Sequence, residues 1–254
     1  MKIDCILTAV NTNPLYLEFV PYFINVWKKI MPTVHIKIIL IADSIPDDLL
    51  EYQKYFILFQ PIENVSTSFT SQYIRLLYPS LLTGYQNGIM ITDIDIVPLN
   101  KKYYIQNIVD IPDNKFVYYR GNRGNKYKQI IMCYNTARTN IWSAIFNIKS
   151  IDDIIDTLKK RYKSSNYQEG HNNIGWSTDQ KDLYKYVLKW NKSTNNFIRL
   201  NEKKTGFNRL NPNGIDSIDT ITKNNIIKGH FTDYHCLRPF SDHYNINMEI
   251  YNLL

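Results

Sequence analysis

Apolar runs alternate with amphipathic stretches over the N-terminal quarter of the chain. Three of the runs are short and rich in β-branched residues, which predicts buried strands over Lys2–Val10, His35–Ala42 and Tyr55–Phe59. Between them, apolar residues at helical spacing predict a helix over Leu15–Ile30, and a shorter acidic helix is predicted over Ile45–Tyr55. Strands that alternate with helices form parallel sheets with right-handed crossovers. We therefore expect an α/β fold with a mixed, mainly parallel central sheet flanked by helices.

Polar residues follow each of these strands. Ligands of open parallel sheets bind beyond the carboxyl ends of the strands. The turn Asn11–Tyr16 and Asp43 lie at such ends, and a fourth buried strand, Ile89–Ile91, leads directly to Asp93 and Asp95. The pattern therefore predicts that three separate segments meet at one edge of the sheet.

The Asp93-Ile-Asp95 sequence is the strongest chemical signal in the chain. Two carboxylates at the end of a buried strand would each cost several kcal/mol if they were desolvated and unpaired. A hard divalent cation that carries a phosphorylated ligand would satisfy them, because such ions take oxygen ligands from carboxylates, water and phosphate. The alternative is a surface loop whose acids face water or an arginine. The position at the end of a buried strand favours the cation.

The remaining chain continues the mixed pattern. Helices are predicted over Phe69–Leu82 with a Thr67 or Ser68 cap, Asn140–Phe146, Ile151–Tyr162 and from Ser177 or Thr178 to Trp190, and a short helix with a loop over Lys101–Asp110. Antiparallel strands are predicted over Phe116–Tyr119 and Ile130–Cys133, and further strands over Phe197–Leu200 and Ile226–Phe231. Irregular segments are predicted over Gly121–Lys126, Ser164–Trp176 and Glu202–Thr222. We expect one domain, with a nucleotide-binding half over 1–100 and an acceptor-binding half over 101–254.

Composition narrows the class of ligand. The chain has 254 residues, of which 44% are hydrophobic and 21% charged, and a net charge of +7 that suits an anionic ligand. The charge is spread without a dense Lys/Arg block, so a nucleic-acid groove is not predicted. Cys5, Cys133 and Cys236 have neither metal-ligand spacing nor a disulfide framework. No apolar run is long enough for a membrane span, and a reducing, cytoplasmic setting is expected.

Two adjacent blocks carry a resemblance to a known family. Tyr73-Ile-Arg-Leu-Leu-Tyr-Pro-Ser-Leu-Leu82 and Gly88-Ile-Met-Ile-Thr-Asp-Ile-Asp-Ile-Val-Pro-Leu-Asn100 resemble nucleotide-sugar glycosyltransferases of the GT-A fold, above all the glycogenin and bacterial galactosyltransferase-like group. Thr178-Asp-Gln-Lys-Asp-Leu183 is similar to the Asp-Gln helix of that family. Gly229-His-Phe-Thr-Asp-Tyr-His-Cys-Leu-Arg-Pro-Phe240 is similar to its terminal segment, with Arg238 and Phe240 in place of a lysine and a tryptophan. The chain also resembles compact glycosyltransferase domains of large DNA viruses.

The resemblance implies a role for each candidate residue. The metal, Mn²⁺ or Mg²⁺, would be held by Asp95, with Asp93 as a second carboxylate and His230 or His235 as an imidazole ligand. His230 is preferred over His235 because its position matches the order of the family, and an imidazole ligand favours Mn²⁺. The nucleotide and donor sugar would contact Thr8, Ala9, Asn11, Tyr16, Asp43, Gln72, Arg75, Asp93 and Arg238. The catalytic residues would be Asp179 and Arg75.

Each of these roles has a structural alternative. Arg75 would otherwise be the ion-pair partner of Asp93, and both roles are compatible. Asp43 would otherwise cap the helix that follows it, and Asp179 would be an ordinary acid in the first turn of a helix. Asp182, one turn after Asp179, is expected to face solvent.

The function implied is transfer of a sugar from a nucleotide sugar, with a UDP-sugar as the expected donor and a glycan or glycoprotein as the acceptor. Donor sugar, acceptor, retention or inversion and oligomeric state stay open. Two other classes are considered, a sugar-phosphate nucleotidyltransferase and a catalytically inactive nucleotide- or carbohydrate-binding module. The first carries a Gly-rich loop after the first strand, and Asn11-Thr-Asn-Pro14 contains no glycine. The second would not need to keep the full set of acids and histidines.

Overall fold

The computed structural model describes residues 1–121, 125–211 and 217–254. Its strands are β1 (Ile3–Asn11), β2 (His35–Ile41), β3 (Phe56–Phe59), β4 (Gly88–Ile91), β5 (Ile96–Pro98), β6 (Phe116–Tyr118), β7 (Asn135–Ala137), β8 (Phe197–Arg199), β9 (Arg209–Leu210) and β10 (Asp233–His235). Its α-helices are α1 (Pro14–Leu17), α2 (Val20–Ile30), α3 (Thr67–Leu77), α4 (Lys101–Gln106), α5 (Thr139–Phe146), α6 (Ile151–Ser165), α7 (Thr178–Thr194), α8 (Glu202–Thr205), α9 (Thr220–Ile227) and α10 (Tyr244–Leu253).

The strands of the described residues form two sheets. The larger has the order β3-β2-β1-β4-β7-β6-β8, and the smaller has the order β5-β10-β9. β3, β2, β1 and β4 are all parallel, β7 is antiparallel to both of its neighbours, and β6 pairs in parallel with β8. The smaller sheet joins β10 antiparallel to β5 and parallel to β9. The predicted α/β class, with a mainly parallel central sheet, is confirmed.

Both faces of the larger sheet are covered, which explains the continuous apolar runs in the sequence. Along β1, Ile6 packs into one hydrophobic cluster and its neighbours Cys5 and Leu7 pack into the other. The first cluster includes Phe23 and Trp27 of α2, and the second is formed largely by α3, α5, α6 and α7. All three cysteines are buried free thiols.

Three predicted helices have different limits in the structure. The predicted Leu15–Ile30 helix is two helices, α1 and α2, because Pro21 lies in the first turn of α2 and cannot donate a hydrogen bond back into α1. The acidic segment Asp47–Tyr55 is a 3₁₀ helix preceded by Pro46, so Asp43 does not cap it. The cap of α3 is Ser66, whose Oγ accepts from Phe69 N at 3.4 Å. The prediction of Thr67 or Ser68 as the cap is wrong.

The predicted strand Ile130–Cys133 is also wrong. These residues are largely buried but irregular, and the strand that pairs antiparallel with β6 is β7, a few residues later. Asn135 explains the difference, because its Nδ2 donates to the carbonyl oxygens of Ile131 and Met132 at 2.8 and 2.9 Å. A side chain therefore satisfies carbonyl groups that a strand would have paired with a neighbour.

The predicted strand Ile226–Phe231 is replaced by the end of a helix. Asp219 caps α9 by accepting from Thr222 N at 2.8 Å, and Ile226 is a buried residue of that helix. The last strand is instead β10, and α10 follows it. Residues 122–124 of the Gly121–Lys126 loop and 212–216 of the Glu202–Thr222 segment lie outside the described residues. None of the described helices is both long enough and apolar enough to cross a bilayer.

Candidate active site

The carboxyl ends of β1, β2 and β4 meet at one edge of the larger sheet, as the parallel pairing requires. Thr92, directly after β4, donates its N–H to the carbonyl oxygen of Leu7 at 3.1 Å, which holds the start of the Asp93–Asp95 segment against β1. Asp95 then passes into the smaller sheet, where its carbonyl oxygen accepts from Cys236 N at 2.9 Å. The two aspartates therefore lie where the two sheets join.

Two residues near the C-terminus, His235 at the end of β10 and Arg238 just after it, lie beside the Asp95 carboxylate. His235 Nε2 lies 3.5 Å from Asp95 Oδ2, and Arg238 Nε lies 3.6 Å from the same oxygen. Burial acts to raise the pKa of Asp95, but the neighbouring His235 and Arg238 outweigh burial and hold the pKa below its usual value. The carboxylate is therefore ionised at neutral pH and turned toward an imidazole and a guanidinium.

Asp95 and His235 together could supply two ligand atoms to a divalent cation. Two ligand atoms bound to one ion at about 2.1 Å, at an angle of 90–110°, lie about 3.0–3.5 Å apart. The 3.5 Å between His235 Nε2 and Asp95 Oδ2 agrees with this geometry without movement of the backbone. Within the described ranges, no group of three or more His, Cys, Asp or Glu side chains converges on one point. Any ion at this pair would therefore need water or a ligand phosphate to complete its coordination.

Asp93 is turned toward Arg75. Its Oδ1 accepts from Arg75 Nη1 at 2.5 Å, and the same nitrogen donates to the Thr92 carbonyl oxygen at 3.1 Å. Arg75 Nη2 lies 3.5 Å from Asp179 Oδ2. The ion pair with Asp93, which is the structural alternative for Arg75, is therefore present. Because the second amino group also contacts Asp179, Arg75 connects the two acids that the sequence places far apart.

Asp179, in the first turn of α7, is buried at 4% relative exposure. Burial raises its pKa to about 7, and the positive charge of Arg75 and the hydrogen bond from Gln180 N at 2.8 Å oppose this rise only in part. An exposed first-turn acid would not show such a shift. A carboxyl group that changes protonation near neutral pH is suited to general acid–base chemistry.

The raised pKa predicts how stability depends on pH. Unfolding lowers the pKa of Asp179 from about 7 to about 3.8, so between these values the folded chain holds more protons than the unfolded chain. The free energy of unfolding should therefore fall as pH rises from about 4 to 7, by on the order of 4 kcal/mol, and level off above that range. Asp179→Asn should remove this slope, measured as urea midpoints between pH 5 and 8 with a chelator present. Parallel curves for the two proteins would contradict the assignment.

The structure places the two candidate histidines at opposite ends of one strand pairing. His235 is opposite Ile96, next to Asp95, whereas Gly229 accepts a hydrogen bond from Asn100 Nδ2 at 2.6 Å beyond the other end of β5. At about 3.3 Å per residue, His230 is thus on the order of 10 Å or more from Asp95. The His230 ring instead lies 3.0 Å from Asn225 Oδ1. The preference for His230 is corrected by this register, and His235 is the histidine brought to the site.

The candidate base-binding residues surround the end of β1. Thr8 and Ala9 are buried in β1, and Thr8 Oγ1 has no hydrogen-bond partner among the described residues. Arg238 Nη1 donates to Tyr16 Oη at 2.5 Å, and the guanidinium carbon is 5.3 Å from the centre of the Tyr16 ring. Tyr16 therefore joins the first turn of the chain to the segment that contacts Asp95. Gln72 is half-buried three residues before Arg75.

Asn11 connects this edge to a loop that was expected only to be irregular. Its Nδ2 donates to Thr67 Oγ1 and Ser68 Oγ at 3.1 and 3.2 Å, and Ser68 in turn donates to a Glu169 carboxylate oxygen. The 166–175 loop is thereby held against the N-terminus of α3. Asp43 differs from the other candidates, since it is exposed and its side chain forms no hydrogen bond or ion pair with another described residue.

Two residues differ from their predicted roles or were not foreseen. Asp182 is buried and accepts from Tyr73 Oη at 2.7 Å and from Arg161 Nε and Nη2 at 2.6 and 2.8 Å, so the prediction that it faces solvent is wrong. Tyr167 was not singled out, yet its hydroxyl is buried without a described hydrogen-bond partner. Burial raises the pKa of Tyr167 to about 12, and its charged neighbours include Asp179. No local pattern marks it, because only the fold of the loop brings it close.

The fold of this chain, with Asp43 after β2 and Asp93 and Asp95 after β4, is similar to the fold of solved glycosyltransferases. The galactosyltransferase LgtC, in a complex with donor and acceptor sugar analogues, matches with a TM-score of 0.50 over 98% of this chain and 94% of that chain, at 12% identity. An active-site variant of LgtC gives a TM-score of 0.51 with the same coverage and identity. A glycosyltransferase involved in the glycosylation of the major capsid of PBCV-1 matches over 98% of this chain and 99% of that chain at 10% identity, with a TM-score of 0.48.

The two LgtC structures establish the likeness of fold, and the third is too distant to add to it. No family model and no curated protein matches the sequence. The predicted GT-A fold is therefore confirmed by the structural matches, without a match at the level of sequence.

Proposed function

We propose that the chain is a metal-dependent glycosyltransferase that moves a sugar from a nucleotide sugar, with UDP as the expected nucleotide, to a hydroxyl group of a glycan or glycoprotein. The observation that carries the proposal is the group formed by Asp95, His235 and Arg238. It combines a carboxylate, an imidazole and a guanidinium at the edge of the sheet where ligands of this fold class bind. Residues 1–100 would supply most of the nucleotide site and residues 101–254 the acceptor site.

Asp95 and His235 would hold the metal. An oxygen and an imidazole nitrogen suit Mn²⁺ better than Mg²⁺, which prefers oxygen ligands. The ion would stabilise the negative charge that grows on the departing nucleoside diphosphate. Asp93 would act from a greater distance, because its carboxylate is already paired with Arg75. It would hold that guanidinium in place or bind a ribose hydroxyl group.

Two guanidinium groups would bind the anionic part of the donor. Arg238 is partly exposed and lies between Tyr16 and Asp95, so its remaining N–H groups are available to a diphosphate. The Tyr16 ring would stack on the base, and backbone groups of Thr8 and Ala9 with Asn11 would read its edge. Because Arg238 joins the ring to the carboxylate, one side chain would orient both ends of the nucleotide.

Asp179 would act where the sugar reacts. In an inverting reaction it would accept the proton of the acceptor hydroxyl group, and a pKa of about 7 allows it to do so at neutral pH. In a retaining reaction its ionised form would stabilise positive charge on the sugar. Arg75 would support either role by fixing the carboxylate. The configuration of the product sugar distinguishes the two.

The test is hydrolysis or transfer of UDP-sugars with Mn²⁺. A glycosyltransferase should release UDP slowly without an acceptor, and Asp95→Ala should not. A sugar-phosphate nucleotidyltransferase would instead release a sugar phosphate only when pyrophosphate is added. An inactive binding module would raise its melting temperature with UDP and Mn²⁺ but release nothing, and either result would refute the proposal.

The two histidines provide a separate prediction. His235→Ala should abolish the increase in melting temperature that Mn²⁺ and UDP together produce, because it removes one of two protein ligands. His230→Ala should keep most of the increase, since His230 is at the far end of the β5–β10 pairing. Differential scanning fluorimetry with and without Mn²⁺ measures both. If His230→Ala alone removes the effect, the metal assignment is wrong.

A further inference from the structure

Hydrogen bonds from the two ends of α4 connect it to α8 and to the residue that follows α9. Asn100, the N-cap of α4, donates from Nδ2 to the carbonyl oxygen of Gly229, just beyond α9, at 2.6 Å. Asn107, at the other end of α4, donates to the carbonyl oxygen of Thr205, the last residue of α8, at 3.4 Å. The exposed side of α4, α8 and α9, together with Val109, is called the helical face below.

The helical face exposes four β-branched aliphatic side chains. Ile221, Ile227, Val109 and Ile105 have relative exposures of 74, 62, 57 and 39%. At 3.6 residues per turn, Ile221, Asn224, Ile227 and Lys228 fall within an arc of about 120° on the side of α9 opposite the buried Ile226. One exposed isoleucine is common on a protein surface, but a group of them on adjoining helices indicates an interaction site.

Lysines accompany these aliphatic side chains. Lys101, Lys102, Lys203, Lys204 and Lys228 are exposed, and none of them forms an ion pair with another described residue.

The nearest acids are largely engaged elsewhere. Glu202 pairs with Arg120 at 2.5 Å, and Glu249 pairs with Lys223 at 2.5 Å. The Asp219 carboxylate caps α9, and Asp110 is an exposed acid beside the face. Counted over the described residues, the helical face is therefore both apolar and net positive.

We propose that the helical face docks this protein on an anionic lipid surface. The isoleucines and Val109 would enter the boundary between headgroups and acyl chains, while the lysines, with long flexible stems, would stay at the level of the phosphates. The charge of the face complements that of anionic headgroups. Nucleic acid is a poorer fit, because its phosphate backbone leaves exposed isoleucines without an apolar partner.

The position of the helical face suits this role. α4 and the end of α9 lie at the end of the β5–β10 pairing that is farthest from Asp95 and His235. A protein docked through this face would keep the candidate active site uncovered. Lipid binding is also separate from transfer, so it can be tested without a donor or an acceptor.

The experiment is co-sedimentation with phosphatidylcholine vesicles, with and without phosphatidylserine. The wild-type chain should bind only the anionic vesicles, and high salt should weaken binding. Lys203→Glu with Lys204→Glu should lower the partition coefficient by at least about 25-fold, at about fivefold for each lysine removed. The matched control, Lys185→Glu with Lys189→Glu on exposed positions of α7, should change it far less.

A second pair of variants separates lipid from other polyanions. Ile221→Ser with Ile227→Ser should lower vesicle binding by about 100-fold, at about tenfold for each buried aliphatic side chain. Leu50→Ser with Leu58→Ser, which are exposed elsewhere, should not. Thermal melting must show that each variant is folded. The proposal fails if the wild-type chain does not bind anionic vesicles. It also fails if the isoleucine pair binds anionic vesicles as well as wild type. Loss of vesicle binding by the isoleucine pair, with heparin binding unchanged, would support insertion of the isoleucines into lipid.

Discussion

Asp95→Asn should lower UDP-sugar hydrolysis or transfer by about 100- to 1,000-fold, the loss typical when one group that stabilises transition-state charge is removed. Asparagine keeps the shape of the side chain but removes the negative charge that His235 and Arg238 surround at 3.5 and 3.6 Å. The metal would lose its only ionised ligand at this pair, and the increase in melting temperature with Mn²⁺ and UDP should disappear. Steady-state UDP release and fluorimetry measure the two effects.

Asp48→Asn is the matched control, because Asp48 is an exposed acid of the 3₁₀ segment Asp47–Tyr55. It should retain wild-type activity and the full response to Mn²⁺. The folded state of Asp95→Asn itself is checked by its melting curve without metal. If Asp95→Asn keeps both activity and the metal response, the cation must bind elsewhere and the proposed chemistry is incorrect.

Much of the larger sheet can be predicted from sequence because its strands are local signals. β1, β2 and β3 are short apolar runs that are largely buried, and the polar residues that follow them mark their carboxyl ends. Burial alone does not identify a strand, however. Ile130–Cys133 is as apolar as β4, but Asn135 bonds its carbonyl oxygens, and the hydrogen-bonded strand contains Asn135 and Thr136 instead.

The candidate site is harder to predict because its contacts are long-range. Asp93 and Asp95 are recognisable from their position after a strand. The choice between His230 and His235 depends on the register of β10 against β5, which no local pattern specifies. Asp182 was expected in solvent because its partners, Tyr73 and Arg161, belong to other helices.

Arg75→Met should be among the most destabilising single substitutions in the chain. Arg75 is buried between the Asp93 and Asp179 carboxylates, at 2.5 and 3.5 Å, and donates to the Thr92 carbonyl oxygen. Methionine has a similar length but leaves both acids and the carbonyl group without this donor. Removal of one partner from a buried ion pair costs about 3–5 kcal/mol. Urea denaturation at neutral pH measures the loss, and activity should fall with it because Asp179 is no longer held.

The pH dependence of the stability lost in Arg75→Met shows whether Arg75 acts through Asp179. Without Arg75 the pKa of Asp179 should rise further above its value of about 7, because the positive neighbour that opposes the rise is gone. The variant should therefore keep losing stability at pH values where the wild-type curve is already level, so the difference between them should be larger at pH 8 than at pH 5. Asp179→Asn combined with Arg75→Met should reduce this difference, as a double-mutant cycle would show.

Arg161→Met is the control, because it removes another arginine–aspartate pair, between α6 and α7. It should lower stability without affecting activity. An Arg75→Met loss that is the same at both pH values would mean that Arg75 does not act through Asp179.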